Sequence, residues 1–250
     1  MEWPLVVVMI ITYNRLEELT KTVTALHYNL KYPMDRLLYV IADDCTPGDY
    51  AGQIVQMWED NAFPTNMIIG STPKNSGWGA NANNAMLRFR NYPTFFIEDD
   101  YLLNTKLDLM AGVALLKKVP HIGMLRYRGT AGARFTYHQD EVDIKDMHPE
   151  YWSGEGANGK LTYLEIDPYS PTLYLYSHGP HLKSPAFHSY YGAYPEGYKL
   201  GTTEEMMAHT VKDMMINDNA PRIAILPDFV EMRFTHFGKS YQLSEHDRGA

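Results

Sequence analysis

The chain of 250 residues carries 22 Lys and Arg against 30 Asp and Glu, a formal charge of −8, and is 45% hydrophobic and 13% aromatic. That apolar content excludes a disordered chain, and the acidic balance argues against tight non-specific binding to polyanions. With Cys45 the only cysteine, an intramolecular disulfide and a thiolate zinc cluster are excluded and a reducing compartment is allowed.

The run Leu5 to Ile11 reads as a strand buried on both faces. It is far too short to span a bilayer, and no basic n-region precedes it, so the expectation is a soluble, cytoplasmic protein without a membrane anchor. Next, Leu16, Leu19, Val23, Leu26 and Leu30 recur at helical spacing, with Asn14 as expected N-cap, Glu17 completing a capping box and Pro33 ending the helix. A second buried strand over 37–41 runs into Asp43-Asp44, and 49–60 reads as a helix. A short strand at 67–69 leads into the turn Asn75-Ser76-Gly77-Trp78-Gly79 and a helix through Arg90. A third strand, 94–97, ends in Glu98-Asp99-Asp100, and an amphipathic helix covers 105–118.

Strand–helix alternation predicts an open, mainly parallel α/β sheet over about residues 1–125. Residues 126–200, rich in Tyr, Gly, His and Pro, are expected as short strands and loops packed on that sheet within one domain. A helix over 203–217, a strand over 222–226 and a polar tail over 241–250 complete the reading.

In such sheets ligands bind beyond the carboxyl ends of the strands, and three polar motifs fall at such ends: 12–15, 43–44 and 98–100. Three adjacent carboxylates are comfortable only in water or on a cation, and hard divalent ions take oxygen ligands shared with phosphates. Alone, each motif has a plainer explanation. The acidic triplet could be a solvated turn, Asp43-Asp44 a turn completed by Thr46-Pro47-Gly48, and Asn75–Gly79 an ordinary loop. Thr202 or Thr203 could cap a helix whose first turn holds Glu204 and Glu205, and His236 could be a satisfied structural histidine. His178, His181 and His188 could form part of an acceptor surface.

Taken in order, the segments resemble GT-A glycosyltransferases of family 2. The resemblance rests on Tyr13-Asn14-Arg15, Asp43-Asp44, the loop and helix with Asn75, Gly77, Ala80 and Asn83, the Asp-x-Asp-like Glu98-Asp99-Asp100, and Gly192-Ala193-Tyr194-Pro195-Glu196 followed by Glu204-Glu205. It implies a GT-A α/β fold, with a nucleotide-sugar part over about 1–125 and an acceptor and catalytic part over about 126–240. It implies that Thr12, Tyr13, Arg15, Asp43, Asp44, Asn75, Gly77 and Asn83 hold the nucleotide sugar, with Glu98 and Asp99 facing the sugar or ribose. Asp100 and His236 would bind Mn²⁺ or Mg²⁺, and Glu205, or else Glu204, would deprotonate the acceptor. Arg126, Arg128, Arg134 and Lys239 are candidates for the diphosphate. The implied reaction is inverting transfer from a nucleoside diphosphate sugar, by default a UDP-sugar. The acceptor hydroxyl stays open between a glycan, a small molecule and a hydroxymethylated base in DNA. The rival classes are a non-catalytic nucleotide-sugar or glycan-binding module and a metal-dependent nucleotidyltransferase. The latter usually carries a basic, Gly-rich N-terminal phosphate loop, which Thr12 to Arg15 is not.

Overall fold

The computed structural model describes residues 2–63, 66–127, 134–137, 140–143, 150–156, 159–166, 168–169, 176–217, 220–225 and 234–237. The apolar runs form the expected strands: β1 (Val6–Thr12), β3 (Leu37–Asp43), β4 (Met67–Ser71) and β5 (Thr94–Glu98), with the short β2 (Leu30–Lys31). They alternate with α1 (Leu16–Asn29), α2 (Tyr50–Asp60) and α3 (Trp78–Phe89). Then follow β6 (Tyr101–Leu103), β7 (Leu107–Asp108), α4 (Leu109–Lys118) and β8 (Ile122–Arg126). Beyond these are β9 (Arg134–Tyr137), β10 (Asp140–Asp143), β11 (Glu150–Gly156), β12 (Gly159–Glu165) and β13 (His181–Lys183). The chain continues through α5 (Pro185–Tyr191), α6 (Leu200–Asn217), β14 (Arg222–Ile225) and β15 (Phe234–His236).

Nine strands form one sheet in the order β11-β12-β14-β8-β13-β5-β1-β3-β4. β4, β3, β1 and β5 are parallel to one another, as are β8 and β14. β13 lies between β5 and β8, antiparallel to both. The residues of β1 alternate between two cores. Val6, Val8 and Ile10 pack with α1, α2 and α4, while Val7, Met9 and Ile11 pack with α3, α5 and α6. A strand covered on both faces needs an apolar side chain at every position, which is why Leu5 to Ile11 carries no polar alternation.

Three local expectations are corrected. Asn14 does not cap α1: it takes a left-handed φ of +52° and donates its backbone N–H to Thr46 Oγ1 at 2.8 Å, so Arg15 becomes the N-cap. Glu17 pairs with Lys21 at 2.6 Å instead. The predicted helix over 105–118 begins only at Leu109, capped by the Asp108 side chain. α6 begins at Leu200, so Thr203 is inside it and fully buried, and Glu204 and Glu205 lie beyond its first turn. The tail 241–250 lies outside the described residues. No described helix is long and apolar enough to cross a membrane.

Candidate active site

Parallel register aligns the strand ends. Thr12 sits opposite Asp43, Asp43 opposite Ser71, and Ile11 opposite Glu98. The ladder runs one residue further, with Asp44 N–H donating to the Thr12 carbonyl at 3.2 Å and Asp99 N–H to the Ile11 carbonyl at 3.1 Å. The turn after β5 is clamped by Thr22, whose hydroxyl donates to the carbonyls of Asp99 and Tyr101 at 2.6 and 3.0 Å. β15 pairs antiparallel with β6, setting His236 opposite Tyr101, and Phe237 N–H donates to the Asp100 carbonyl at 2.9 Å. Residues more than a hundred positions apart thus meet at one rim of the sheet.

At its centre Arg15 Nη1 reaches Asp100 Oδ2 at 2.6 Å and Asp99 Oδ1 at 3.3 Å, while His236 Nε2 lies 3.2 Å from the same Asp100 oxygen. Asp99 Oδ2 and Asp100 Oδ1 are buried without a hydrogen-bond partner. Burial pushes the Asp99 carboxyl up to about 7 against the opposing pull of Thr12 and Arg15, and Glu98 up to about 8, with Asp100, Glu204 and Asp99 adding repulsion. At Asp100 burial also pushes upward, but His236 and Arg15 outweigh it and hold the carboxyl below its ordinary value. Burial lowers the Arg15 pKa, and the two aspartates more than restore it.

Asp43 and Asp44 are tied into their own chain. Asp43 accepts from Thr46 N–H at 3.0 Å, Thr46 Oγ1 at 2.5 Å and Ser71 Oγ at 3.3 Å. Asp44 accepts from Thr72 Oγ1, Ser76 N–H and Gly77 N–H, each at 2.8 Å. It therefore holds the Asn75–Gly77 loop, where Gly77 caps α3 at φ +83°, a conformation glycine adopts freely. Asn75 and Tyr13 are exposed, and Thr12 is buried with Oγ1 3.0 Å from the Tyr50 hydroxyl. Asn83 turns the other way. Its amide donates to the Tyr194 carbonyl and Glu196 Oε1 at 3.0 and 2.7 Å and accepts from Tyr194 N–H at 2.8 Å, so it anchors the 194–196 loop. Gly79 lets that loop in, because a Cβ there would overlap the Pro195 carbonyl oxygen.

α6 brings Glu204 near Glu98, the first residue of the acidic row. Glu204 Oε1 accepts the backbone N–H of His178 at 2.8 Å, and its charge acts on Glu98, whereas Glu205 is exposed. His178 stacks on Trp78 at 3.6 Å. The Trp78 indole N–H has no partner at normal hydrogen-bond distance, yet lies close enough to Glu98 to favour its ionised form. His178, His181 and His188 are all buried, so they are core residues and not an acceptor surface; exposed Tyr169, Tyr190 and Tyr198 remain from that stretch. Of the expected diphosphate cations, Arg126 is buried in β8, and Arg128 and Lys239 lie outside the described residues. The backbone of Arg134 lies in β9. Thr46, expected to complete the turn after Asp43-Asp44, does so by donating twice to Asp43. Tyr50 and Trp78 had no expected role in the site, and of the two only Trp78 carried a signal, as the large residue in a turn of small ones.

Among the described residues no three His, Cys, Asp or Glu side chains converge as a metal centre. The donors at the rim nevertheless suit a hard cation shared with phosphate. Asp100 offers an orphaned oxygen, His236 approaches the same carboxylate, and further ligands would come from substrate and water.

The profile of the family described as Glycosyl transferase family 2 matches residues 7–179, more than two thirds of the chain. The chain belongs to glycosyl transferase family 2. Its GT-A fold is shared with solved glycosyltransferases of low identity. Staphylococcus aureus TarS, solved with UDP-GlcNAc, is 20% identical with a TM-score of 0.62, covering 90% of this chain and 56% of TarS 1–349. The mannosyltransferase PcManGT of Pyrobaculum calidifontis, solved with GDP-Man and Mn²⁺, is 15% identical with a TM-score of 0.61, covering 92% and 56%. GalNAc-T7, solved with UDP, GalNAc and Mn²⁺, is 11% identical with a TM-score of 0.62, covering 90% and 42%. The family 2 chain thus spans between 42% and 56% of the length of these neighbours. No curated protein matches it.

Proposed function

We propose that this glycosyltransferase transfers a sugar from a nucleoside diphosphate donor to an acceptor hydroxyl, with inversion and with a divalent metal. The observation that carries the reading is Glu204 lying near Glu98, the first residue of the row Glu98-Asp99-Asp100, with Arg15 and His236 converging on Asp100 at its end. Tyr13, Arg15 and the loop fixed by Asp43 and Asp44, with Thr12, Asn75 and Gly77, form the nucleotide side. Asp100 and His236 hold the metal, Mn²⁺ or Mg²⁺, which when bound neutralises charge developing on the departing diphosphate. Glu98 and Asp99 face the sugar or ribose.

Glu204 is the base, in preference to the exposed Glu205. With Oε1 held by His178 N–H, its Oε2 takes the proton of the acceptor hydroxyl. The acceptor oxygen then bonds to the anomeric carbon as the carbon–oxygen bond to the diphosphate breaks on the opposite face. The bonding pair departs with the nucleoside diphosphate, and configuration inverts. Both UDP- and GDP-sugars occupy proteins of this fold, so both belong in a donor panel. The test is release of nucleoside diphosphate with Mn²⁺ across such a panel. Parental turnover by Asp100→Ala refutes the metal assignment, and release of pyrophosphate instead makes the protein a nucleotidyltransferase.

A further inference from the structure

Behind the wall that carries Glu204, Lys183 lies on β13 with 1% of its surface exposed. Its Nζ donates to the hydroxyls of Tyr194 and Tyr176, the latter at 3.3 Å, and sits 4.8 to 5.2 Å from the ring centres of Phe96, Tyr176, Phe187 and Tyr194. Among the described residues no carboxylate forms an ion pair with it. Burial alone drives its pKa far below that of a free lysine. A buried amine without a counter-ion is costly unless its surroundings compensate. Here that compensation comes from the two tyrosine hydroxyls and the four rings, so whatever the lysine does is done through them.

Its contacts lead to the site. Tyr176 donates to the Tyr194 hydroxyl at 2.8 Å, so the amine and the two hydroxyls lock one another. Tyr194, held at its backbone by Asn83, meets Trp78 edge-on at 4.9 Å, and both tyrosines meet His178 edge-on at 5.5 and 5.7 Å. His178, clasped between these rings and the stacked Trp78, supplies the peptide N–H that holds Glu204. We propose that Lys183 is a positioning residue for sugar transfer: through Tyr176 and Tyr194 it fixes the Trp78–His178 stack and so aims the Glu204 carboxylate. The inference rests on Glu204 being the base.

Lys183→Met and Tyr194→Phe, singly and together, test it by two readouts, amide hydrogen exchange at His178 and steady-state kinetics. Lys183→Met keeps the side-chain volume and removes only the amine, and its melting temperature is measured alongside to separate a local change from a general loss of stability. In both single variants His178 N–H exchanges about tenfold faster, and kcat falls about tenfold or more while donor KM holds within about twofold. The double variant is expected to be no slower than the worse single one, because both act through one chain of contacts. Parental exchange at His178, or parental kcat despite faster exchange, overturns the proposal. So does a fall in stability that tracks kcat and raises KM as well, which would make Lys183 a packing residue. A parent enzyme that releases no nucleoside diphosphate refutes the proposed function instead, and exchange at His178 still decides whether the brace exists.

Discussion

Arg15 stands where a metal would compete with it. Its Nη1 occupies Asp100 Oδ2 at 2.6 Å, the oxygen His236 also faces, and it bridges to Asp99. A divalent ion seated between Asp100 and His236 would share that oxygen with Arg15 and so compete with it. A hydrogen bond between charged groups nets about 1.5–3 kcal/mol. The Arg15 side chain is 25% exposed, so screening favours the low end, which corresponds to about tenfold in a binding constant. Arg15→Gln is therefore expected to bind Mn²⁺ about tenfold more tightly than the parent in the absence of nucleotide. Affinity for nucleoside diphosphate should fall in the same variant, because the cation on the nucleotide side is gone. The assay is titration of the free Mn²⁺ paramagnetic signal, repeated with and without UDP or GDP. Unchanged or weaker Mn²⁺ binding in Arg15→Gln would falsify the idea that Arg15 guards the metal position.

Other outcomes follow from the same contacts. Glu204→Gln should lower kcat by about 10²–10⁴ with donor affinity kept, whereas Glu205→Gln should stay near parental; the reverse order would move the base to the exposed residue. Gly79→Ala should destabilise the protein by about 1–3 kcal/mol, read as a lower urea midpoint, since the new methyl meets the rigid Pro195 carbonyl. His188 is buried with its pKa pushed down to about 3 by burial, with the Lys183 charge adding to it. The unfolded chain takes up a proton at His188 near pH 6.5 and the folded one only near 3, so this histidine removes stability as pH falls between those values. In His188→Gln the stability–pH slope near pH 5 should flatten by about 1.4 kcal/mol per pH unit relative to the parent, and parallel slopes would contradict the burial argument.

What could be read from the sequence was the part written in consecutive residues. Continuous apolar runs ending in Thr12, Asp43 and Glu98 announce parallel strands and place their polar successors on one rim. What could not be read depends on how distant elements rotate against one another. Glu204 and Glu205 are neighbours about 100° apart around a helix, and only the seat of α6 decides which turns inward. The Tyr- and His-rich stretch looked like a surface because its residues are polar at one end. In the structure the Tyr176 and Tyr194 hydroxyls meet at Lys183, and the buried rings of His178, His181 and His188 supply core volume. Asn14 had the chemistry of a cap, but the left-handed turn that brings its N–H to Thr46 moved the helix start by one residue.

The seating of β13 has a consequence for assembly. Without His181–Lys183, β5 and β8 would be bare margins facing across a gap, since neither pairs with the other. The strand that fills this gap is made long after both. Synthesis must therefore carry the β4-β3-β1-β5 half-sheet with an open edge at β5, prone to wrong pairing, and β8 without either neighbour, since β14 is made later still. A fragment cut after Arg126 would keep the strand-end loops after β1, β3 and β5 yet leave the edge of β5 bare and β8 unpaired, so it should not persist as a folded body alone.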